Sequence, residues 1–172
     1  MSRVSRLGFI EPQIPTLTDQ PPDGDGWIHE IKHDGYRLLV LDGRSVRAFT
    51  RNGHDWSDRY PGILAAAARL GCRSAVLDGE VIVQAARGAS DFEALQQAIR
   101  RRPHSLIFYA FDILHLDGND LRRLPLIDRR AKLKKLIGEE GAGAMQFSQE
   151  FVGDGAALFR GVRQAPTRGY RF

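Results

Sequence analysis

Glu30-Ile31-Lys32-His33-Asp34-Gly35-Tyr36-Arg37 follows an apolar Trp27-Ile28 pair. Trp27 to Ile31 reads as a short strand, so the lysine stands at a strand end with Asp, Gly and Arg at fixed offsets behind it. That pattern suits a nucleophilic amine aimed at a phosphate. Gly35 lets the backbone turn sharply, and Arg37 puts a permanent cation beside the reacting phosphorus. An amine attacks only when neutral, so the pKa of Lys32 must fall from about 10.4 toward the working pH, through nearby cations and partial burial. Asp-Gly is also a common turn dipeptide. By themselves these residues favour a solvated lysine ahead of an ordinary hairpin turn; the rest of the chain overturns that reading.

Outward from this stretch, Met1 to Asp25 reads as an extended lead-in carrying Pro12, Pro15, Pro21 and Pro22, with no helical period. Arg37-Leu38-Leu39-Val40-Leu41 and Ser45 to Thr50 flank Asp42-Gly43, a hairpin signal. Pro61 through Leu70 reads as an alanine-rich helix closed by Gly71. Ala75 to Val83 is a strand pair, or one long strand interrupted at Asp78-Gly79. Ser90-Asp91-Phe92-Glu93 has the Ser-x-x-Glu form of a capping box and starts a helix that Pro103 ends. Leu106 to Leu114 is a continuous apolar run, hence a central strand, and Asp117-Gly118 turns the chain. Arg129 to Ile137 is a helix with Leu133, Leu136 and Ile137 on one face. Met145 to Phe147 is a further strand, and Asp154 caps a short helix carrying Leu158 and Val162. Strands and helices mix without strict alternation, which predicts an α+β fold with mostly antiparallel sheets and flanking helices.

With 172 residues the chain has the length of one domain, enough to bury roughly 70% of its unfolded surface. No apolar run approaches bilayer-spanning length and no signal core follows Met1, so a cytoplasmic, bacterial-type enzyme without membrane contact is expected. Cys72 is the single cysteine, which excludes an internal disulfide or a thiolate zinc site; it reads as an inert packing residue. His54, His104 and His115 lack ligand spacing and read as surface or loop residues. The net charge of +4 is compatible with a polyphosphate partner without demanding one. Basic residues cluster at Arg100-Arg101-Arg102, Arg122-Arg123 and Arg129 through Lys135, where the bland account is a helix C-terminus and a solvated helix face.

Lys32-x-Asp34-Gly35-x-Arg37 resembles the signature of covalent nucleotidyltransferases, the polynucleotide ligases and RNA capping enzymes. Four more segments fall in the order and spacing of ATP-dependent DNA ligases. Phe9-Ile10-Glu11-Pro12 with Pro15-Thr16-Leu17 looks like the lead-in of the bacterial end-joining type, and Thr50-Arg51-Asn52-Gly53, Leu77-Asp78-Gly79-Glu80-Val81 and Tyr109-Ala110-Phe111-Asp112-Ile113-Leu114 match three further motifs. Each is modest alone; together they span nearly the whole chain.

The resemblance implies a nucleotidyltransferase (adenylation) domain and a role for each matching residue. Lys32 attacks the α-phosphorus of ATP and carries AMP as a phosphoramide. Glu30 lies beside the adenine, with Ile31 adding backbone contacts. Arg37 and Arg51 position phosphate, Glu80 faces the ribose and a divalent metal, Mg²⁺ or another divalent cation, and Phe111 stacks on adenine. The residues suit these roles. A guanidinium fork meets phosphate bidentately. A carboxylate in an apolar strand is costly unless it faces a polar cavity, although a break at Gly79 would point Glu80 to solvent. Base stacking on an aromatic ring is worth about 1–3 kcal/mol. The implied substrate is nicked or broken double-stranded DNA, with a Ku-type end-binding protein as partner.

The resemblance holds through Glu150 to Phe159 and then departs. The family continues with a Glu-Gly-Ile-Val-Ser-Lys strand, a Lys-x-Lys strand and an OB-fold domain; Gln164 to Phe172 matches none of them. A frameshift accounts for this, because one coding string for that tail, read one base later, gives Arg-Leu-Gln-Leu-Glu-Gly-Ile-Val-Ser-Lys. The expectation is therefore an incomplete adenylation domain over 1–172, without its last strands or the OB fold, and with impaired activity. The alternatives are a noncatalytic nucleotide-binding remnant and an RNA guanylyltransferase.

Overall fold

The computed structural model describes residues 7–16, 18–20, 22, 24, 26–30, 33, 35–42, 45–83, 92–151, 155 and 157, with 38–42 and 92 described by backbone alone. Among them the spine is β4 (Ala75–Val83), buried along nearly its whole length. Its three valines with Leu77 and Ile82 suit a strand covered on both faces. β2 (Tyr36–Asp42) and β5 (Leu106–Leu116) flank it, both antiparallel. β3 (Arg47–Thr50) lies outside β2, and β6 (Asn119–Asp120) outside β5. β7 (Met145–Phe147) adds a parallel pairing along β5. A separate two-stranded ribbon joins β1 (His29–Glu30) to β8 (Glu150–Phe151). This is the α+β, mostly antiparallel fold read from the sequence. The tail that carries the frameshift reading and the helix expected after Asp154 lie outside the described residues, apart from helical Gly155 and Ala157.

One face of the sheet supplies the core. Leu77, Val81 and Val83 of β4 and Phe108, Ala110 and Ile113 of β5 pack against α1 (Pro61–Ala67), α2 (Phe92–Arg101) and α3 (Leu126–Ile137). Gly79 lies on this face because a Cβ there would strike the Phe108 ring and the Tyr109 carbonyl. Gly79→Ala should therefore lose about 1–3 kcal/mol of stability through overpacking, read as a lower urea midpoint; an unchanged midpoint would contradict the packing.

Several boundaries differ from the sequence reading. α1 is regular only to Ala67, and Arg69 and Leu70 then bond three residues back, tightening the last turn. α3 starts at Leu126, directly after Pro125, whose fixed φ suits a helix entry. Ala75–Val83 is one strand rather than a pair; its interruption is a register shift against β5 at Asp78/Gly79. The capping-box residues Ser90 and Asp91 lie outside the described residues.

His115 is a correction: it belongs to β5 and is half-buried, with Nδ1 lacking a hydrogen-bond partner among the described residues. Burial lowers its pKa from 6.5, opposed by Asp120 and Asp117. The unfolded chain therefore takes up a proton more readily than the native one as pH falls. The stability is intact above about pH 6.5 and is lost below it. His115→Phe should gain in Tm relative to the parent between about pH 8 and pH 5; a gap independent of pH would contradict this.

Candidate active site

The opposite face of the same sheet is polar beside an apolar patch of Phe49 and Val76, and it brings together Arg37, Glu80 and Phe111 of the residues singled out from the sequence. Cross-strand register sets Arg37, Glu80 and Tyr109 in one row and Asp78 and Asp112 in the next. Between the pairs Gly79↔Ala110 and Asp78↔Asp112, Phe111 has no partner on β4. Such a bulge re-aims side chains locally, and it brings the Phe111 ring to Arg37, whose guanidinium carbon lies 5.3 Å from the ring centroid.

Arg37 is held from three sides. Its Nε and Nη2 donate to the two oxygens of Asp78 at 3.0 and 2.7 Å, and its Nη1 donates to the Gln13 carbonyl. Three of its five N–H groups are thus used, leaving two for an anion. Asp78 is only 3% exposed, and burial raises its carboxyl pKa against the pull of Arg37. Such a fork fixes a guanidinium far better than a single contact does.

Gly35 works differently from the sharp turn read in the sequence. Its φ is not positive, and the requirement is close approach: a Cβ would overlap the Val81 carbonyl and crowd Ile82 and the Glu80 side chain. Glycine lets the segment that follows Lys32 press onto β4 at Glu80. His33 stacks on Tyr109 with centroids 4.5 Å apart, beside the same row. Lys32 itself, with Ile31 and Asp34, lies outside the described residues.

Residues 7–16 of the lead-in form no helix, as read, and run over this face. The Leu7 carbonyl accepts from Arg47, Phe9 packs near Phe49 and Gly53, Pro12 is buried, and Gln13 meets Arg37. Arg51 is exposed in the turn after β3. Thr50 pairs with Leu38, so Arg51 stands one residue past the pairing at the Arg37 end of the sheet, without a side-chain hydrogen bond or ion pair among the described residues.

Glu30 reaches the site through a residue that sequence reading assigned to a solvated face. Arg130 is 1% exposed. Its Nη1 donates to Glu30 Oε1 at 2.8 Å and to the Phe111 carbonyl at 2.9 Å, and its Nη2 to the Ser148 carbonyl and to Glu150. The guanidinium also lies 4.8 Å from the Phe147 ring centroid. Ser148 Oγ donates to the other Glu30 oxygen at 2.8 Å. Burial raises the Glu30 pKa, with Arg130 and Ser148 opposing. A signal for Arg130 was present: 130, 133 and 137 fall on one helical stripe, and Leu133 and Ile137 are core. Its neighbour Arg129 makes a fork to Asp112 at 2.8 Å on both arms.

For a divalent metal, Glu80 is the motif carboxylate, in one row with Arg37. Asp78 is committed to Arg37, and no group of three His, Cys, Asp or Glu side chains able to hold an ion occurs among the described residues. That donor set fits Mg²⁺ taken through one carboxylate with substrate phosphates and water completing the shell. A cavity of about 260 Å³ lies elsewhere, lined by Lys134, Glu139, Phe147, Gln149 and Glu150. It includes neither Arg37, Glu80 nor Phe111, so the polar face and not the cavity is the candidate site.

A family profile described as "ATP dependent DNA ligase domain" matches residues 15–162. The chain belongs to the ATP-dependent DNA ligase domain family. Over 149 residues, 85% of the chain, it is 40% identical to the multifunctional non-homologous end joining protein LigD of Pseudomonas aeruginosa, of which it covers 18%. The ligase domain from Mycobacterium tuberculosis LigD superposes with a TM-score of 0.67 at 36% identity, covering 80% of this chain and 44% of that one. A mycobacterial DNA ligase D complexed with ATP and MES gives 0.65 at 33% identity, with the same coverage. This ligase-family chain thus spans less than half of the solved chains and under a fifth of the Pseudomonas protein. Among the described residues, no helix is long and apolar enough to cross a membrane.

Proposed function

We propose that the chain transfers AMP from ATP to its own Lys32, the opening half-reaction of DNA ligation. One observation carries the reading. Arg37, Glu80 and Phe111, each assigned a nucleotide role by motif, converge on one sheet face against the segment that follows Lys32.

Lys32, neutral at the moment of attack, forms a bond from Nζ to the α-phosphorus while the bond to pyrophosphate breaks; the amine proton is released. Arg37, oriented by Asp78, directs its free N–H groups at phosphate oxygens, and Arg51 adds charge from the turn at the same sheet end. Phe111 offers adenine the ring face not taken by Arg37, and Glu30 and Ile31 border the base. Mg²⁺ held through Glu80 would neutralise phosphate charge. The AMP would then pass to a 5′-phosphate of DNA, and attack by the 3′-hydroxyl would release it. The names of the end-joining relatives support broken double-stranded DNA as the substrate; a Ku-type end-binding partner belongs to the proposal alone.

Incubation with ATP labelled at the α-phosphate tests the reading. An acid-labile protein adduct is expected. Adduct from GTP in preference to ATP would favour a guanylyltransferase, and reversible ATP binding without adduct would favour a noncatalytic remnant.

A further inference from the structure

We infer that Arg130 is a positioning residue for the adenylation step, holding the strand that leads into Lys32 against the strand that carries Phe111. The inference rests on the proposed transfer of AMP to Lys32.

Four segments meet at this one side chain. Glu30 belongs to β1 and precedes Lys32 by two residues. Glu150 belongs to β8, the only strand paired with β1 among the described residues. The Phe111 carbonyl belongs to the β5 bulge, and the Ser148 carbonyl follows β7. Among the described residues the β1–β8 ribbon makes no ladder with the main sheet. Side-chain links tie it to β5, and Arg130 supplies the central one, with Ser148 Oγ to Glu30 as a second.

The identity of the side chain matters. A guanidinium presents several N–H groups in a rigid plane and can serve acceptors on both sides at once. An ammonium is a point charge and cannot span the same set. Burial at 1% exposure leaves no water to fill in for a missing link. Reacting groups tolerate little misplacement; an error near 1 Å can cost about 100-fold in rate.

The test is single-turnover formation of the Lys32–AMP adduct in Arg130→Lys, with Leu133→Ala as a control. Leu133 is fully buried one turn along α3 and touches none of these groups by hydrogen bond. Both variants are assayed below their measured Tm. Arg130→Lys should slow adduct formation at saturating ATP by roughly 10- to 100-fold, with a much smaller change in the ATP concentration at half-maximal rate. Leu133→Ala should lower Tm and keep the parental rate. Should Arg130→Lys fail to fold, Ser148→Ala carries the test, with a fall of roughly 2- to 10-fold expected for one lost hydrogen bond. A parental rate in the folded variant, or equal rate losses in Arg130→Lys and Leu133→Ala, overturns the positioning role. A parental chain that forms no adduct instead overturns the proposed function, and the inference falls with it.

Discussion

Lys32→Ala should abolish the acid-labile adduct formed with α-labelled ATP in protein that still melts cooperatively. The loss is complete because nothing replaces the bond-forming atom. Removing a hydrogen-bond donor from a site slows a reaction by about 10²–10³, whereas removing the nucleophile removes the covalent product itself. Basic neighbours do not rescue it: His33 is engaged in a ring stack on Tyr109, and the Arg37 guanidinium is held by Asp78. Both outcomes come from one preparation, using label retained on the denatured protein and a melting curve. Residual adduct in the variant would place the chemistry on a different lysine.

The second large effect is on stability. Arg130→Ala should destabilise the fold by about 3–5 kcal/mol, the cost of leaving a buried ion pair without its partner, and lower Tm by roughly 6–20 °C at this chain length. Glu30 and Glu150 would then share a partly buried space with no cation between them, and the Phe111 and Ser148 carbonyls would lose their donor. Buried ion pairs do not stabilise as strongly as such losses suggest, because each charge is costly to desolvate. Combining Arg130→Met with Glu30→Gln and Glu150→Gln should therefore cost less than Arg130→Ala alone. If the triple variant is the less stable one, the charges themselves hold the ribbon in place.

The strands of the main sheet were legible because each carries a strong local signal. Ala75 to Val83 and Leu106 to Leu114 are largely apolar runs, and Asp117-Gly118 is a turn pair with positive φ at both residues. The site was legible through motifs whose residues sit far apart in sequence, and the structure brings Arg37, Glu80 and Phe111 together. What the sequence did not convey is which polar groups pair across the fold. Arg130 reads as one cation in a basic run, since its acceptors lie 100, 19, 18 and 20 residues away. Asp78 reads as part of a turn signal, yet it is the anion that orients Arg37 across β2 and β4. Gly35 reads as a turn glycine, and only the packing of its segment on Glu80 shows that space, not φ, excludes a side chain there.

The central claim is that one sheet face, walled by Arg37, Glu80 and Phe111, delivers the α-phosphorus of ATP to Lys32. Peptide mapping by mass spectrometry after incubation with ATP and Mg²⁺ tests it most directly. AMP attached at Lys32, and absent when Glu80 is replaced by alanine, is the predicted result. AMP on Lys132, Lys134 or Lys135, or nucleotide retained with no covalent bond at all, would contradict it.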